Sequence, residues 1–522
     1  DMSSSRSDQQ NRWRVERPAT EVVADAEAWF SSRKPDDGPW FAWLHMFDVH
    51  HPYVPPEPYK SQFPDRPYLG EVAWTDAQVQ RVIDGLKERG ELDNTWVFIL
   101  SDHGEGRGSH GEMMHGVLLY NATTRIPFIV LQPGGGIGER FFFPVSIVDL
   151  FPTILKIAGE AIPEGIDGID PTPWLLTGVT RPEPPDRPVF LESIYAYRHY
   201  GWAPQKALVT KEHKLIGSTT SELYAATDWG EKTNLATTEP GEMAAIEQRL
   251  NQMTSAMVQA DGAAGRAEMS PERLAQLAAL GYVTTSVDTE DKPADALPDP
   301  VDRLPILRDV EKVRRLFQEG NIVQARTEVD ALLEREPTLV DIRNLQAQIM
   351  ARGGDQTAAL KTLRKLDLDH PSTQTKQMIG GMLMQMGEPL AAMQVFSSVI
   401  DIDPYLASAW RPYLHGLFLT RQLGQLDQEV QRAQKLIPDD IVVRIMQGVV
   451  LVMQGDMKTS EPIFLKVLHE DPNHPFVNHS LGLIRRAQGR PAEAEQFLLE
   501  EVSLFPPAVP ARRTLVEMYA EE

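Results

Sequence analysis

The residues most able to do chemistry are bunched. Six of the chain's 13 histidines, His45, His50, His51, His103, His110 and His115, fall between residues 45 and 115. Scattered core histidines would not gather this way. Asp102-His103-Gly104-Glu105 is followed by Ser109-His110-Gly111-Glu112 and then His115-Gly116. A carboxylate beside an imidazole in a Gly-rich loop can hold a divalent cation. Further imidazoles nearby could supply hydrogen bonds or positive charge to a tetrahedral oxyanion. The plain alternative is a polar loop in which Asp102 and His103 only hydrogen-bond the backbone. The clustering of histidines favours the metal and oxyanion chemistry.

The elements that must position these groups are legible around them. Thr95–Leu100 is a run of β-formers that delivers Asp102 and His103 at its carboxyl end, where open α/β sheets place their sites. Trp40–Leu44 reads as a second apolar strand running into His45-Met46-Phe47-Asp48-Val49-His50-His51, which the following prolines hold in a loop. Between them, Glu71–Arg89 has helical apolar spacing and Gly90 as its stop. An earlier helix begins near Thr20, a candidate N-cap. Phe128–Leu131 is a further strand and Val145–Ala158 a further helix, ended by Gly159. Strand patterns recur at Val189–Glu192, at Ala207–Ile216 with a turn near Glu212, and at Glu222–Ala225. Strands alternating with helices predict an α/β layer followed by a small β-rich lobe.

Beyond an acidic, Pro-rich stretch the chain repeats itself. Pro337, Pro371, Pro404, Pro438, Pro472 and Pro506 mark a period of about 34 residues, with Gly-containing turns between them. The small residues Ala325, Ala359, Ser460 and Ala494 hold equivalent places where two helices could pack closely. The expected organisation is an α/β domain over 1–283, a linker over 284–304 and about six helical hairpins over 305–522. A chain of 522 residues is too long for one core. A net charge of −23 argues against a nucleic-acid or anionic-membrane surface. There is no cysteine for a disulfide or thiolate site, and no apolar run long enough to span a membrane.

Two resemblances follow from these motifs. The 34-residue helix-turn-helix period resembles the tetratricopeptide repeat, whose stacked superhelix implies a protein or peptide partner. Asp102-His103-Gly104-Glu105, His110-Gly111-Glu112, His115-Gly116 and Arg125-Ile126-Pro127 resemble the sulfatase branch of the alkaline phosphatase superfamily. So does His45-Met46-Phe47-Asp48-Val49-His50-His51-Pro52-Tyr53, with Val49 in place of the usual Pro. Further matches are Ser146–Thr153, Ile166-Asp167-Gly168, Glu222-Leu223-Tyr224 and Leu280–Val283.

The sulfatase resemblance implies Asp102 and His103 as ligands of one divalent metal, with Ca, Mn, Mg and Zn left equal. It implies that His50 contacts the sulfuryl or phosphoryl group, with His45 beside it. His115 would contact the substrate oxyanion or leaving oxygen, or ligate a second metal. Glu105 and Glu112 are expected to order the loop. The implied substrate is a sulfated or phosphorylated small molecule, glycan or lipid. Alternatives are a phosphodiesterase or phosphoethanolamine-type transferase, or a non-catalytic repeat scaffold. The family's acidic pair and nucleophile have no counterpart in residues 1–19. The sequence is therefore expected to hold the distal part of a site whose N-terminal sheet half lies upstream. A periplasmic or membrane-anchored location is the family's implication.

Overall fold

The computed structural model describes residues 17–34, 37–135, 138–175, 182–261, 296–472, 474–506 and 508–521. The chain divides into two compact units, one formed mainly by residues up to 263 and the other mainly by residues from 309 onward.

The first unit is α/β. Among its described residues it contains two sheets. β1 (Val97–Leu100) pairs antiparallel with β2 (Phe128–Leu131), Val97 facing Leu131 and Leu100 facing Phe128. The second sheet is a four-stranded antiparallel meander of β3 (Val189–Ser193), β4 (Gln205–Val209), β5 (His213–Gly217) and β6 (Glu222–Ala225). Leu208, Leu215 and Leu223 lie on one face of this meander and are fully buried against Ile246 and Leu250 of the helix Pro240–Asp261. The opposite face is buried as well, at Ala207, Ile216 and Tyr224, so the meander is covered on both sides.

Three expectations are altered. Trp40–Leu44 is extended but joins no ladder among the described residues, and the side chains of Phe41 and Trp43 are exposed. A strand exists only where a neighbour's N–H and C=O groups meet it, and periodicity alone does not supply them. The first helix is Ala19–Ser32, with Pro18 rather than Thr20 at its N-cap. Its first N–H is instead capped from a distance, by Asp48 Oδ2 at 2.7 Å. The same carboxylate accepts from Trp74 Nε1 at 2.9 Å, so Asp48 ties the histidine loop to two helices. The second of these, Pro67–Glu88, starts four residues earlier than its apolar spacing indicated, because Pro67 is suited to a first helical turn.

The end of the proposed linker is also structured. Asp299 is buried and accepts from Thr219 Oγ1 at 2.6 Å, while Ala203 N donates to Pro298 O at 2.9 Å. The rest of that stretch, and the Leu280–Val283 motif, lie outside the described residues.

The second unit is all α. Helix pairs follow one another: Val340–Arg352 with Gln356–Asp369, Thr373–Gln385 with Pro389–Ile402, Ala407–Leu419 with Leu423–Leu436, Ile441–Met453 with Met457–Glu470, and Val477–Ala487 with Pro491–Leu504. Leu304–Gln318 and Ile322–Arg335 precede them, and Val509–Glu521 follows. Ala325, Ala359, Ser460 and Ala494 are all fully buried, and so is Ala392 at the corresponding place. Opposite them the helices approach so closely that a Cβ on Gly380 would lie 2.6 Å from the Phe396 ring, and one on Gly448 2.7 Å from Phe464. The Ala407–Leu436 hairpin departs from the pattern: Leu426 takes the small-residue place, and the close approach moves to Gly416 against Met393. These are tetratricopeptide-type hairpins.

Candidate active site

β1 ends at Leu100, and the chain turns at once into the loop carrying Asp102 and His103. Two glycines let this loop fold tightly. A Cβ on Gly104 would lie 2.3 Å from Ala122 O, and one on Gly106 2.5 Å from Glu112 O. Gly104 N donates to Thr123 O at 2.8 Å, and Gly106 N donates to Met114 O at 2.7 Å. The loop therefore closes on itself and returns His115 to His103.

Three imidazoles from separate sequence motifs come together. The rings of His103 and His115 stack with centroids 3.9 Å apart, and the His50 ring meets His115 edge-on at 5.7 Å. Each has an oxygen beside Nδ1: His51 O at 2.7 Å for His50, Gly104 O at 2.9 Å for His103, and Glu105 Oε1 at 3.3 Å for His115. An oxygen acceptor there holds a proton on Nδ1, so that Nε2 is the ring nitrogen left to bind a cation or to take up and give a second proton. The same device recurs on all three rings, and it presents three Nε2 atoms for coordination, hydrogen bonding or proton transfer.

Asp102 Oδ2 lies 3.6 Å from His103 Nε2, and the Asp102 side chain is 60% exposed. Donor atoms at that separation suit two ligands at about 2.0–2.6 Å from one cation. The pair therefore fits as part of a coordination shell. Among the described residues, no group of three or more His, Asp or Glu side chains could hold a metal. Asp102 and His103 by themselves fall short of such a group.

Glu105 is the orienting carboxylate. Burial pushes it up, but hydrogen bonds from His115 and Tyr53 outweigh this and hold it below the usual carboxylate range. It remains ionised and fixes the His115 ring. Tyr53 stacks edge-on against Tyr68 at 5.3 Å, and Arg107 lies 4.4 Å over the Tyr68 ring. Glu112 is buried and accepts from Val117 N at 2.9 Å and Leu118 N at 3.3 Å, bracing the backbone just after His115. Burial pushes its carboxyl up to about 7 despite those two donors.

The second sheet holds the far side of this loop. Each of its strands contributes one polar side chain: Ser193 donates to Gly116 O, and Gln205 Oε1 accepts from Leu119 N. Lys214 Nζ reaches Asn121 Oδ1 at 3.0 Å, and Glu222 accepts from the Tyr120 hydroxyl at 2.7 Å. Lys214 also pairs at 2.8 Å with Glu231, whose other oxygen accepts from Asn121 N. Neither Lys214 nor Glu231 belongs to a recognisable motif. A lysine next to the apolar pair Leu215-Ile216 is the only sequence signal, and it does not name its partner.

Three histidines stand outside the cluster. His110 stacks on Tyr120 at 3.7 Å and its Nε2 meets Glu231 O at 3.0 Å, a loop-fixing role. His51 packs edge-on to Tyr53. His45 is exposed, and among the described residues it makes no ring contact with the cluster.

Parts of the chain are similar to known proteins. Residues 2–160 match the sulfatase family model. An uncharacterized sulfatase, YidJ, of Escherichia coli is 34% identical over 157 residues, 29% of either chain. An arylsulfatase of Clostridium perfringens is 33% identical over 106 residues, 20% of this chain and 22% of the relative. The chain therefore spans less than a third of the length of these relatives. A solved tetratricopeptide repeat protein from Parabacteroides merdae covers 41% of this chain and 98% of its own, at 15% identity and a TM-score of 0.32. Residues 2–160 carry a sulfatase-family domain, and the helical hairpins of the second unit have tetratricopeptide-like geometry.

Proposed function

We propose that this chain forms part of a metal-dependent hydrolase of sulfate esters, with a partner-binding repeat array attached. The observation that carries the reading is the trio of imidazoles with Nδ1 held and Nε2 presented, beside the Asp102–His103 donor pair. A hydrolase within the alkaline phosphatase superfamily is the coarser statement that the family match supports.

Asp102 and His103 would hold a divalent cation, which when bound neutralises charge on the ester oxygens. With a second proton on Nε2, the His50 ring would donate from that nitrogen to the sulfuryl oxygens. His115, carrying a second proton on Nε2, would give it to the bridging oxygen as the ester bond breaks, its ring kept in place by Glu105 at Nδ1. Phosphate and phosphonate esters present similar tetrahedral oxyanions and are the second substrate class. For the array, we propose a protein or peptide partner, tested by whether the full chain and its 305–522 segment retain the same binder. Among the described residues, no helix is long and apolar enough to cross a membrane.

The test is turnover by the full natural protein of an aryl sulfate, a bis-aryl phosphate and an aryl phosphonate, with Ca, Mn, Mg or Zn added. Metal-dependent cleavage of the sulfate, lost by about a hundredfold or more in His103→Ala, is expected. No metal-dependent turnover, or turnover undiminished by His103→Ala, refutes the reading.

A further inference from the structure

Beside the imidazole cluster lies a cavity of about 390 Å³ that the chemistry above leaves unused. Its walls are Tyr53, Pro55, Phe63, Pro64 and Pro67, with Lys60 also lining it. Tyr53 is shared with the site, because its hydroxyl hydrogen-bonds Glu105, the carboxylate that holds His115. The cavity therefore begins one side chain away from the imidazole assigned to the ester's bridging oxygen. Its size falls in the range of small-molecule sites, and proline and aromatic faces suit a flat ring.

Its charge is equally specific. Glu57 also lines the cavity but is engaged, accepting from Ser61 N at 3.2 Å and Ser61 Oγ at 2.6 Å. Lys60 has no hydrogen-bond or ion-pair partner among the described residues. The wall is rigidly placed, since Gly70 of the helix Pro67–Glu88 lies so near Pro55 that a Cβ there would sit 2.8 Å from the Pro55 ring. We propose that this cavity is the subsite for the organic part of the ester, an aromatic ring whose far end carries an anionic substituent that meets Lys60. The assignment rests on the ester-hydrolase reading for the ring's attachment, but the cavity can be probed without it.

The probes are naphthol and hydroxynaphthoate, neither of which carries an ester, titrated into the full chain and followed by ligand fluorescence. Saturable binding of both is expected, with hydroxynaphthoate about fivefold tighter, as one exposed ion pair allows. Lys60→Met should erase that preference, and because Lys60 is exposed this variant should fold normally. Phe63→Ala should weaken both ligands about tenfold. Absence of saturable binding, a preference unchanged in Lys60→Met, or affinities unchanged in Phe63→Ala overturns the proposal. If both ligands bind as expected but aryl sulfates are not cleaved, the subsite stands and the hydrolase reading falls.

Discussion

Lys214→Met gives the sharpest test of how the second sheet supports the site. The Lys214 and Glu231 side chains are 3% and 1% exposed, and their charged atoms lie 2.8 Å apart. Asn121 Oδ1 and Thr124 Oγ1 accept from the ammonium at 3.0 and 3.1 Å, and Glu231 supplies its counter-charge. Burial lowers the lysine's proton affinity, and Glu231 restores only part of it. Methionine keeps the volume but strands the Glu231 carboxylate without its counter-ion. Breaking a buried pair from one side costs about 3–5 kcal/mol, whereas replacing both partners costs far less. The double variant Lys214→Met/Glu231→Gln should therefore be more stable than Lys214→Met alone, with a coupling of about 2 kcal/mol or more across the cycle. Urea unfolding followed by tryptophan fluorescence reads the relevant unit, because all of the chain's 10 tryptophans except Trp410 precede residue 230. A loss below about 1 kcal/mol in Lys214→Met, or additivity of the two substitutions, would refute a buried, mutually dependent pair.

Other outcomes follow from the same geometry. Glu112 rises from 4.5 unfolded to about 7 folded, so the folded state binds its proton more tightly. Its contribution is full below pH 4.5 and is lost as pH rises through about 7, a decline of roughly 3 kcal/mol. Glu112→Gln should flatten that part of the stability–pH curve, as measured by urea midpoints at successive pH values. Asp149 accepts from Ser146 N, Ile169 N and both terminal nitrogens of Arg187, the last pair at 2.6 and 3.1 Å. Arg187→Lys should destabilise by about 1–3 kcal/mol through loss of the two-pronged contact, and Arg187→Ala by more, in the same fluorescence assay. In the repeat array, neighbouring glycines should respond oppositely to alanine. Gly380→Ala places a methyl 2.6–2.9 Å from Phe396 and should destabilise, overpacking of about 1–3 kcal/mol exceeding the helix-propensity gain. Gly381→Ala meets nothing within 4 Å and should stabilise by up to about 1 kcal/mol, measured by circular dichroism melts.

The sequence by itself determined the elements whose signals are local. β6 runs from Glu222 to Ala225 as its pattern indicated, and the 34-residue period of Pro and small residues laid out the hairpins, because each repeat packs mainly on its neighbours. The motifs around Asp102, His103 and His115 also marked the chemistry, since metal and oxyanion sites need those residue types. What only the tertiary structure decided was partnership between distant segments. Thr20 looked like a cap, yet Asp48, 29 residues from Ala19, supplies it. The family resemblance pointed to His50 with His45 beside it, and the fold brings His50 to His115 but leaves His45 exposed, while His110 stacks on Tyr120. Lys214 and Glu231 carried no motif because their value lies in meeting each other across a turn while gripping Asn121. Periodicity records which face of an element is apolar. It does not record which donor a buried acceptor will find, because that depends on closures spanning tens of residues.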